Sequence, residues 1–422
     1  ISKPFSPKIL VARVGAVLKR SNQVKSSKLE CGGIVIDKAA HQVTIDGKEI
    51  ELSFKEFELL TYFVENKGIA LSREKILNNV WNYDYFGDAR TIDTHVKKLR
   101  SKMGEKGEYI HTIWGMGYKF EQIEKGCGII TIEGEDNSRT VMLSAHVDTL
   151  GLMVRSITAS GDLKFTKVGG PIMPTLDGEY CRIHTRDGRV YTGTIICESA
   201  AVHVHPDAST KARDEDTMII RIDEQVHSKE DVLKLGIQVG DYICYDPKTV
   251  VTESGFLKSR FIDDKGSVAC LLTALKIMHD QGLKPQYKTK FFISVFEEVG
   301  HGASYIPEDV SEVLAVDMGC IGLDLTCTEY DVSICAKDSG GPYDYDMTSR
   351  LIELAKENEL KYAVDIYPRY GSDVGAALHG GHNIKGGLIG PGVHASHGME
   401  RTHYSALENS INLVLLYLGC KK

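Results

Sequence analysis

The chain has 422 residues, 42% of them hydrophobic and 26% charged, with 41 Gly and 11 Pro. This is ordinary globular composition and excludes disordered, collagen-like and disulfide-scaffold classes. The charge is uneven: residues 1–121 carry 20 Lys and Arg against 15 Asp and Glu, and the remainder carries 30 against 43. Two or three domains with different partners are therefore expected, the basic one suited to a polyanion.

No apolar run approaches the roughly 18–20 residues that a membrane span requires. Nothing at the start reads as a signal peptide, so no membrane partner is expected. The ten Cys form no CxxC pair. Scattered single thiols fit a reducing compartment and a cytoplasmic location.

Residues 1–21 hold Lys3-Pro4 and an amphipathic stretch with Ile9, Leu10, Val14, Val17 and Leu18 on one helical face. A lone helix of that length cannot bury its own stripe. Short β-like runs follow at 33–36 and 42–45, and an Asp46-Gly47 turn leads into Ile50-Glu51-Leu52. Ser53-Phe54-Lys55-Glu56 is a capping box opening a helix whose buried stripe is Phe57, Leu60 and Val64, with Gly68 as its stop. Ser72 caps a second helix through Ile76 and Val80. After Tyr83–Gly87 a third helix places Ile92, Val96, Leu99 and Met103 on one face and Arg90, Thr94, Lys97 and Ser101 on the other, with Lys98 beside them. Residues 111–120 read as a hairpin with a glycine-rich tip.

Three helices and a closing hairpin make a winged helix-turn-helix. The strings Leu71-Ser72-Arg73-Glu74, Val80-Trp81, residues 83–93 and Gly115-Met116-Gly117-Tyr118-Lys119-Phe120 resemble the DNA-binding domain of two-component response regulators over about 100 residues (22–121). Residues 1–21 resemble the last helix of that family's receiver domain. The resemblance implies a third helix in the major groove of double-stranded DNA, with Arg90, Thr94, Lys97 and Lys98 on phosphates or bases, and a role in transcription regulation. The phospho-acceptor Asp and almost all of the receiver are missing, so this chain is expected to lack phosphorylation-driven control.

From about residue 122 the pattern changes. Buried-strand runs at 140–145, 290–296 and 312–316 deliver His146-Val147-Asp148, Glu297-Glu298 and Asp317 at their C-terminal ends, and Asp263-Asp264 opens an apolar helix over 267–282. Alternating strands and helices imply an α/β sheet, whose ligands gather at strand C-terminal ends. Imidazoles and carboxylates converging there suit two divalent ions, Zn²⁺, Co²⁺ or Mn²⁺, sharing a carboxylate. One member of the Glu pair ligates while its neighbour stays free as general base, and Asp148 is placed to orient His146.

Ser144–Thr149, Ser259–Lys265, Glu297-Glu298-Val299-Gly300 and Gly371-Ser372-Asp373 resemble the TET-type co-catalytic metallo-aminopeptidases over roughly 300 residues. That family includes glutamyl aminopeptidases and members with an old cellulase label. The resemblance implies that His146 binds one metal, Asp263 bridges both, Glu298 and Asp317 complete the ligands, and Glu297 is the base. For the last ligand, His394, His397 and His403 are candidates; His397 is preferred for its distance ahead of a helix starting near Ser405, and His403 is second. The insert over roughly 159–255 reads as a small β-rich domain that the family uses for homo-oligomer assembly, and His203 and His205 belong to it rather than to the site.

The fold expected is therefore multidomain: an α+β winged helix-turn-helix, then an α/β metallopeptidase sheet (122–158 and 256–422) with a β-rich insert. Some forty to fifty residues that usually precede Gly128 in the peptidase family are replaced by the winged helix, with a seam near Gly117–Glu121 and no Pro-, Ser- or Gly-rich linker. A fusion truncating both parents, with a less stable peptidase half, is expected. The expected function is a dinuclear-metal aminopeptidase acting on peptides and fused to a DNA-binding domain. The alternatives are a transcription regulator with an inactive peptidase-like domain, and a joined chain without joint function.

Overall fold

The computed structural model describes residues 28–68, 70–81, 91–113, 117–120 and 126–420. The expectations for residues 1–21, Tyr83–Gly87 and Arg90 lie outside these residues. The chain divides into two compact units, Ile1–Glu124 and Lys125–Lys422.

The first unit opens with a four-stranded antiparallel meander, Lys28–Cys31, Ile34–Asp37, Gln42–Ile45 and Lys48–Ile50. Its last turn is Asp46-Gly47, both at positive φ (48° and 79°), the backbone that a tight two-residue hairpin demands. The helix Phe54–Glu65 starts on the capping box: the Ser53 hydroxyl accepts the Glu56 N–H, and the Glu56 carboxylate accepts the Ser53 N–H at 2.8 Å. Ser72 likewise caps Arg73–Val80, and Thr91–Met103 follows. Phe57, Leu60, Phe63, Ile76, Val80, Ile92, Val96, Leu99 and Met103 close one core with Ile34 and Ile36 of the meander. Val64, expected in the buried stripe, packs only partly, and Leu59 takes full burial instead. The hairpin Ile110–Ile113 and Gly117–Phe120 recruits a third strand, Ala70–Ser72, that the sequence pattern did not show.

In the second unit, four adjacent strands run parallel in the order Lys385–Val393, Val310–Val316, Asp136–His146 and Tyr287–Ser294. Antiparallel strands flank them, Val332–Asp338 on one side and Gly128–Ile132 on the other. Their apolar runs are buried, as a sheet covered on both faces requires. Helices Ile262–Gln281, Tyr345–Glu357 and Tyr404–Tyr417 share one core with the sheet, including Val141, Leu143, Leu271, Leu314, Leu351 and Leu413. Asp263 and Asp264 have non-helical backbone, so the regular helix begins only after them.

Between Asp136–His146 and Ile262–Gln281 the chain forms a closed six-stranded barrel. In spatial order its strands are Gly151–Ile157, Leu163–Val168, Met218–Ile222, Val190–Cys197, Tyr180–His184 and Tyr242–Tyr245. Leu152, Val154, Phe165, Ile183, Ile195, Ile220 and Ile243 fill its interior. The barrel begins ahead of residue 159, and the strands Val250–Val251 and Phe256–Ser259 pair outside it, in a three-stranded sheet with Glu400–His403. Among the described residues no helix is long and apolar enough to cross a membrane, and all ten Cys are free thiols.

Candidate metal centre

The register of the parallel strands decides which side chains meet. Ser294 pairs with His146, and Ala315 pairs with Ser144, so the segments that follow all three strands emerge at one edge. Asp263 reaches this edge from the start of its helix, and His397 from the loop after Lys385–Val393.

There, each oxygen of Asp263 faces one imidazole. Oδ1 lies 3.3 Å from His146 Nε2 and Oδ2 lies 3.5 Å from His397 Nε2. His397 Nε2 is also 3.7 Å from Glu298 Oε2, and His146 Nε2 is 3.6 Å from Glu297 Oε2. Among the described residues, two sets have donor atoms all within 4.8 Å of one another: His146, Asp263 and Glu298, and His146, Asp264 and Asp317. The sequence-derived set His146, Asp148, Asp263, Glu297, Glu298, Asp317 and His397 is thus brought to one place. His403 is elsewhere engaged: its ring faces the Ser405 hydroxyl at 2.8 Å and the Ser254 carbonyl at 3.0 Å, and it caps Tyr404–Tyr417. His394 is exposed and bridges by its backbone to Arg401.

Both imidazoles are aimed. His146 Nδ1 faces the Asp148 carbonyl at 3.2 Å and the Asp148 carboxylate at 3.4 Å, acceptors both, so Nδ1 carries a ring proton and Nε2 is the nitrogen turned toward Asp263. His397 Nδ1 faces the Gly170 carbonyl at 2.9 Å with the same result. The two carboxylate oxygens of Asp148 also accept the backbone N–H groups of Glu297 (3.3 Å) and Glu298 (3.2 Å), which fixes the Glu pair against His146.

Sequence reasoning assigned no role to Glu400, nor a site role to Asp264 beyond a helix cap. Glu400 is buried; one of its oxygens accepts the N–H groups of Ile262 (2.7 Å) and Asp263 (3.1 Å), and the other accepts that of His397 (3.0 Å). Asp264 accepts the His146 N–H at 3.1 Å. Asp373 accepts the Ser294 hydroxyl at 2.6 Å and the Ala303 N–H at 2.9 Å, spanning the loop that carries Glu297. Apart from Glu400 and His397, three residues apart, these partners are distant in sequence, so only the fold reveals them.

The electrostatics ask for cations. Burial, reinforced by Asp263, pushes Glu298 up to about 8, Asp317 up to about 7 and Glu400 up to about 7. Burial and the Asp317 charge hold Glu297 well above the carboxylate range. Burial opposes charge on Asp263, and the two imidazoles overcome it and hold its pKa low. Burial likewise opposes a charged His146, but Asp148 and Asp263 hold its pKa high. His146 Nε2, Glu298 Oε1 and Asp264 Oδ1 are buried without a hydrogen-bond partner. Unpartnered buried donors of this hard oxygen and imidazole kind fit divalent ions.

The profile of the M42 glutamyl aminopeptidase family matches residues 126–413. The chain belongs to that family. A second profile, the C-terminal domain of transcriptional regulatory proteins, matches residues 47–120. YhfE of Bacillus subtilis (strain 168), named as an aminopeptidase, is 48% identical over 295 residues, covering 70% of this chain and 85% of YhfE. The transcriptional regulatory protein ResD of the same organism is 44% identical over 133 residues, 29% of this chain and 55% of ResD. The chain thus spans about half the length of that regulator.

Two solved structures share the M42 chain's fold. Aminopeptidase APDkam598 of Desulfurococcus kamchatkensis has a TM-score of 0.64 at 21% identity, covering 77% of this chain and 90% of its own. The Pyrococcus horikoshii TET1 peptidase, which can assemble into a tetrahedron or a large octahedral shell, has a TM-score of 0.60 at 22% identity over 86% and 99%. The chain is a winged-helix regulator domain followed by an M42 peptidase fold. In the winged-helix unit, Thr94, Lys97 and Lys98 are exposed on Thr91–Met103, opposite the buried Ile92, Val96 and Leu99.

Proposed function

We propose that residues 126–422 form an aminopeptidase that removes N-terminal residues from peptides with two divalent ions, Zn²⁺ or Co²⁺, with Mn²⁺ a further fit. The observation that carries this reading is Asp263, whose two oxygens face one imidazole each. His146, Asp263 and Asp317 would hold one ion, and Asp263, Glu298 and His397 the other. Bound there, such a pair lowers the pKa of a water and polarises a carbonyl.

The rest is done by the chain's own groups. Asp148 fixes the His146 tautomer and, through the two N–H groups it accepts, the position of Glu297. Glu297 takes a proton from the attacking water and returns it to the departing amine. The surrounding carboxylates form an anionic site suited to a substrate's free ammonium group.

Residues 22–121 bind double-stranded DNA in this reading, with Thr94, Lys97 and Lys98 facing the duplex, and Arg90 joining them by analogy. The barrel carries exposed apolar side chains, Tyr180, Val190 and Tyr242 among them, and would serve homo-oligomer assembly. The peptidase reading is tested with Glu297→Gln: it abolishes release of anilines from aminoacyl-anilides while Zn²⁺ content stays at two. If the wild-type protein with Co²⁺ or Zn²⁺ never cleaves such substrates yet binds a DNA repeat tightly, the regulator reading replaces it.

A further inference from the structure

The two imidazoles of the site are held by different parts of the molecule. His146 is almost fully buried and is aimed by Asp148, two residues along its own segment. The His397 side chain is 36% exposed and sits on a loop with left-handed backbone at Ala395 and His397. Its aim comes from the barrel. The Gly170 carbonyl accepts Nδ1–H at 2.9 Å, and the Ile172 N–H donates to the His397 carbonyl at 3.1 Å. Gly170 and Ile172 lie in the link between the barrel strands Leu163–Val168 and Tyr180–His184.

That link is pinned in turn. Arg260, buried and three positions before Asp263, donates Nη2 to the Thr175 carbonyl and Nη1 to the Asp246 carbonyl, both at 3.0 Å, and pairs with Glu179 at 3.2 Å. The link also fits closely at its start, since a Cβ on Gly169 would stand 3.4 Å from the Glu298 carbonyl oxygen. The link therefore touches the loops of His397 and Glu298, and it is tied to the approach to Asp263.

We infer that the barrel link, through the Gly170 carbonyl and the Ile172 N–H, is a positioning element for the cation site of Asp263, Glu298 and His397, so that this site fills only with the link docked. The inference rests on the two-cation reading. The site around His146 holds no side chain aimed by the link and fills first. Whatever moves the barrel, such as contact with another copy, then sets the occupancy of one ion and leaves the other in place.

The test uses the full chain, stripped with a chelator and titrated with Zn²⁺ alone by calorimetry, with bound zinc counted by mass spectrometry. Gly170→Ala places a methyl 3.2 Å from His397 Nδ1, so the ring must give way by a few tenths of an ångström. Ile172→Pro suits the φ of −77°, deletes the N–H and sets a ring carbon against the His397 carbonyl. In each variant the tight ion is kept and the second binds about 10–100-fold more weakly. Val202→Ala, 70% exposed in a loop between barrel strands, binds as wild type. Nitrogen-15 spectra along the titration show when His397 becomes a neutral ring bound through Nε2, and both variants need more Zn²⁺ than the wild type to reach that state. Two ions at wild-type affinity in both variants overturn the inference and leave the two-cation reading standing. Loss of the tight ion in both variants also overturns it, because the link would then support the whole fold. A wild-type protein that takes up fewer than two ions overturns the reading beneath it.

Discussion

Glu400 accepts the backbone N–H of His397 at 3.0 Å with one carboxylate oxygen, while its other oxygen is committed to Ile262 and Asp263. One buried side chain therefore sets the spacing between two loops that carry candidate ligands. Glu400→Ala leaves two buried N–H groups and one partly buried N–H group unpaired and is expected to cost about 3 kcal/mol. Glu400→Gln turns one acceptor into a donor facing a donor and costs about half of that. Urea unfolding of the cation-free protein measures both, and a loss below about 0.5 kcal/mol for Glu400→Ala would rule the brace out.

Glu297 and Glu298 are neighbours in sequence but face different imidazoles. Glu297→Gln should lower kcat by at least about 10²-fold, the range of a general base, with zinc content unchanged. Glu298→Gln should lose zinc as well as activity. Equal zinc loss in both variants would contradict the division of roles.

The raised carboxylates make stability depend on pH in a definite direction. Glu298 moves from 4.5 to about 8 and Asp317 from 3.8 to about 7 in the cation-free fold. A group whose folded pKa is raised gives stability that is fully present below its unfolded pKa and lost as pH rises through the folded one. The cation-free protein should therefore weaken between about pH 4 and about pH 8, while bound Zn²⁺ compensates the same charges. The gap in Tm between zinc-loaded and EDTA-treated protein should widen with rising pH. A gap that narrows would mean that these carboxylates do not face the ions.

Lys97 and Lys98 are both exposed on the helix Thr91–Met103. If both neutralise phosphates, replacing the pair by Ala should weaken DNA binding across sequences alike. It should also make the slope of log K against log salt shallower by about 2. Fluorescence anisotropy over a salt series reads this directly, and an unchanged slope would remove these residues from the interface.

Much of this architecture is local and was open to reading. Ser53 and Glu56 announce a helix start because capping is settled within one turn. His146, Glu297 and Asp317 follow buried runs, and parallel neighbours bring such ends together. Other features are not local. The barrel closes by pairing Leu152 with Ile243, and no periodicity in either strand specifies so distant a partner. Glu400 joins a backbone group three residues away, at His397, to two that are far from it in sequence, Ile262 and Asp263, and no spacing announces that second tie. Where the rings of His397 and His403 point depends on Gly170 and Ser254, residues remote from both.

The candidate ligands are drawn from positions 146, 263, 298, 317 and 397, and the last waits for Lys385–Val393 to lie beside Val310–Val316. Such long-range closure is the slow part of folding. A half-made chain, or an intermediate lacking that strand, holds an incomplete set of donors and stays chemically silent. In the aminopeptidase reading, cutting power is thereby withheld until the polypeptide has finished building itself.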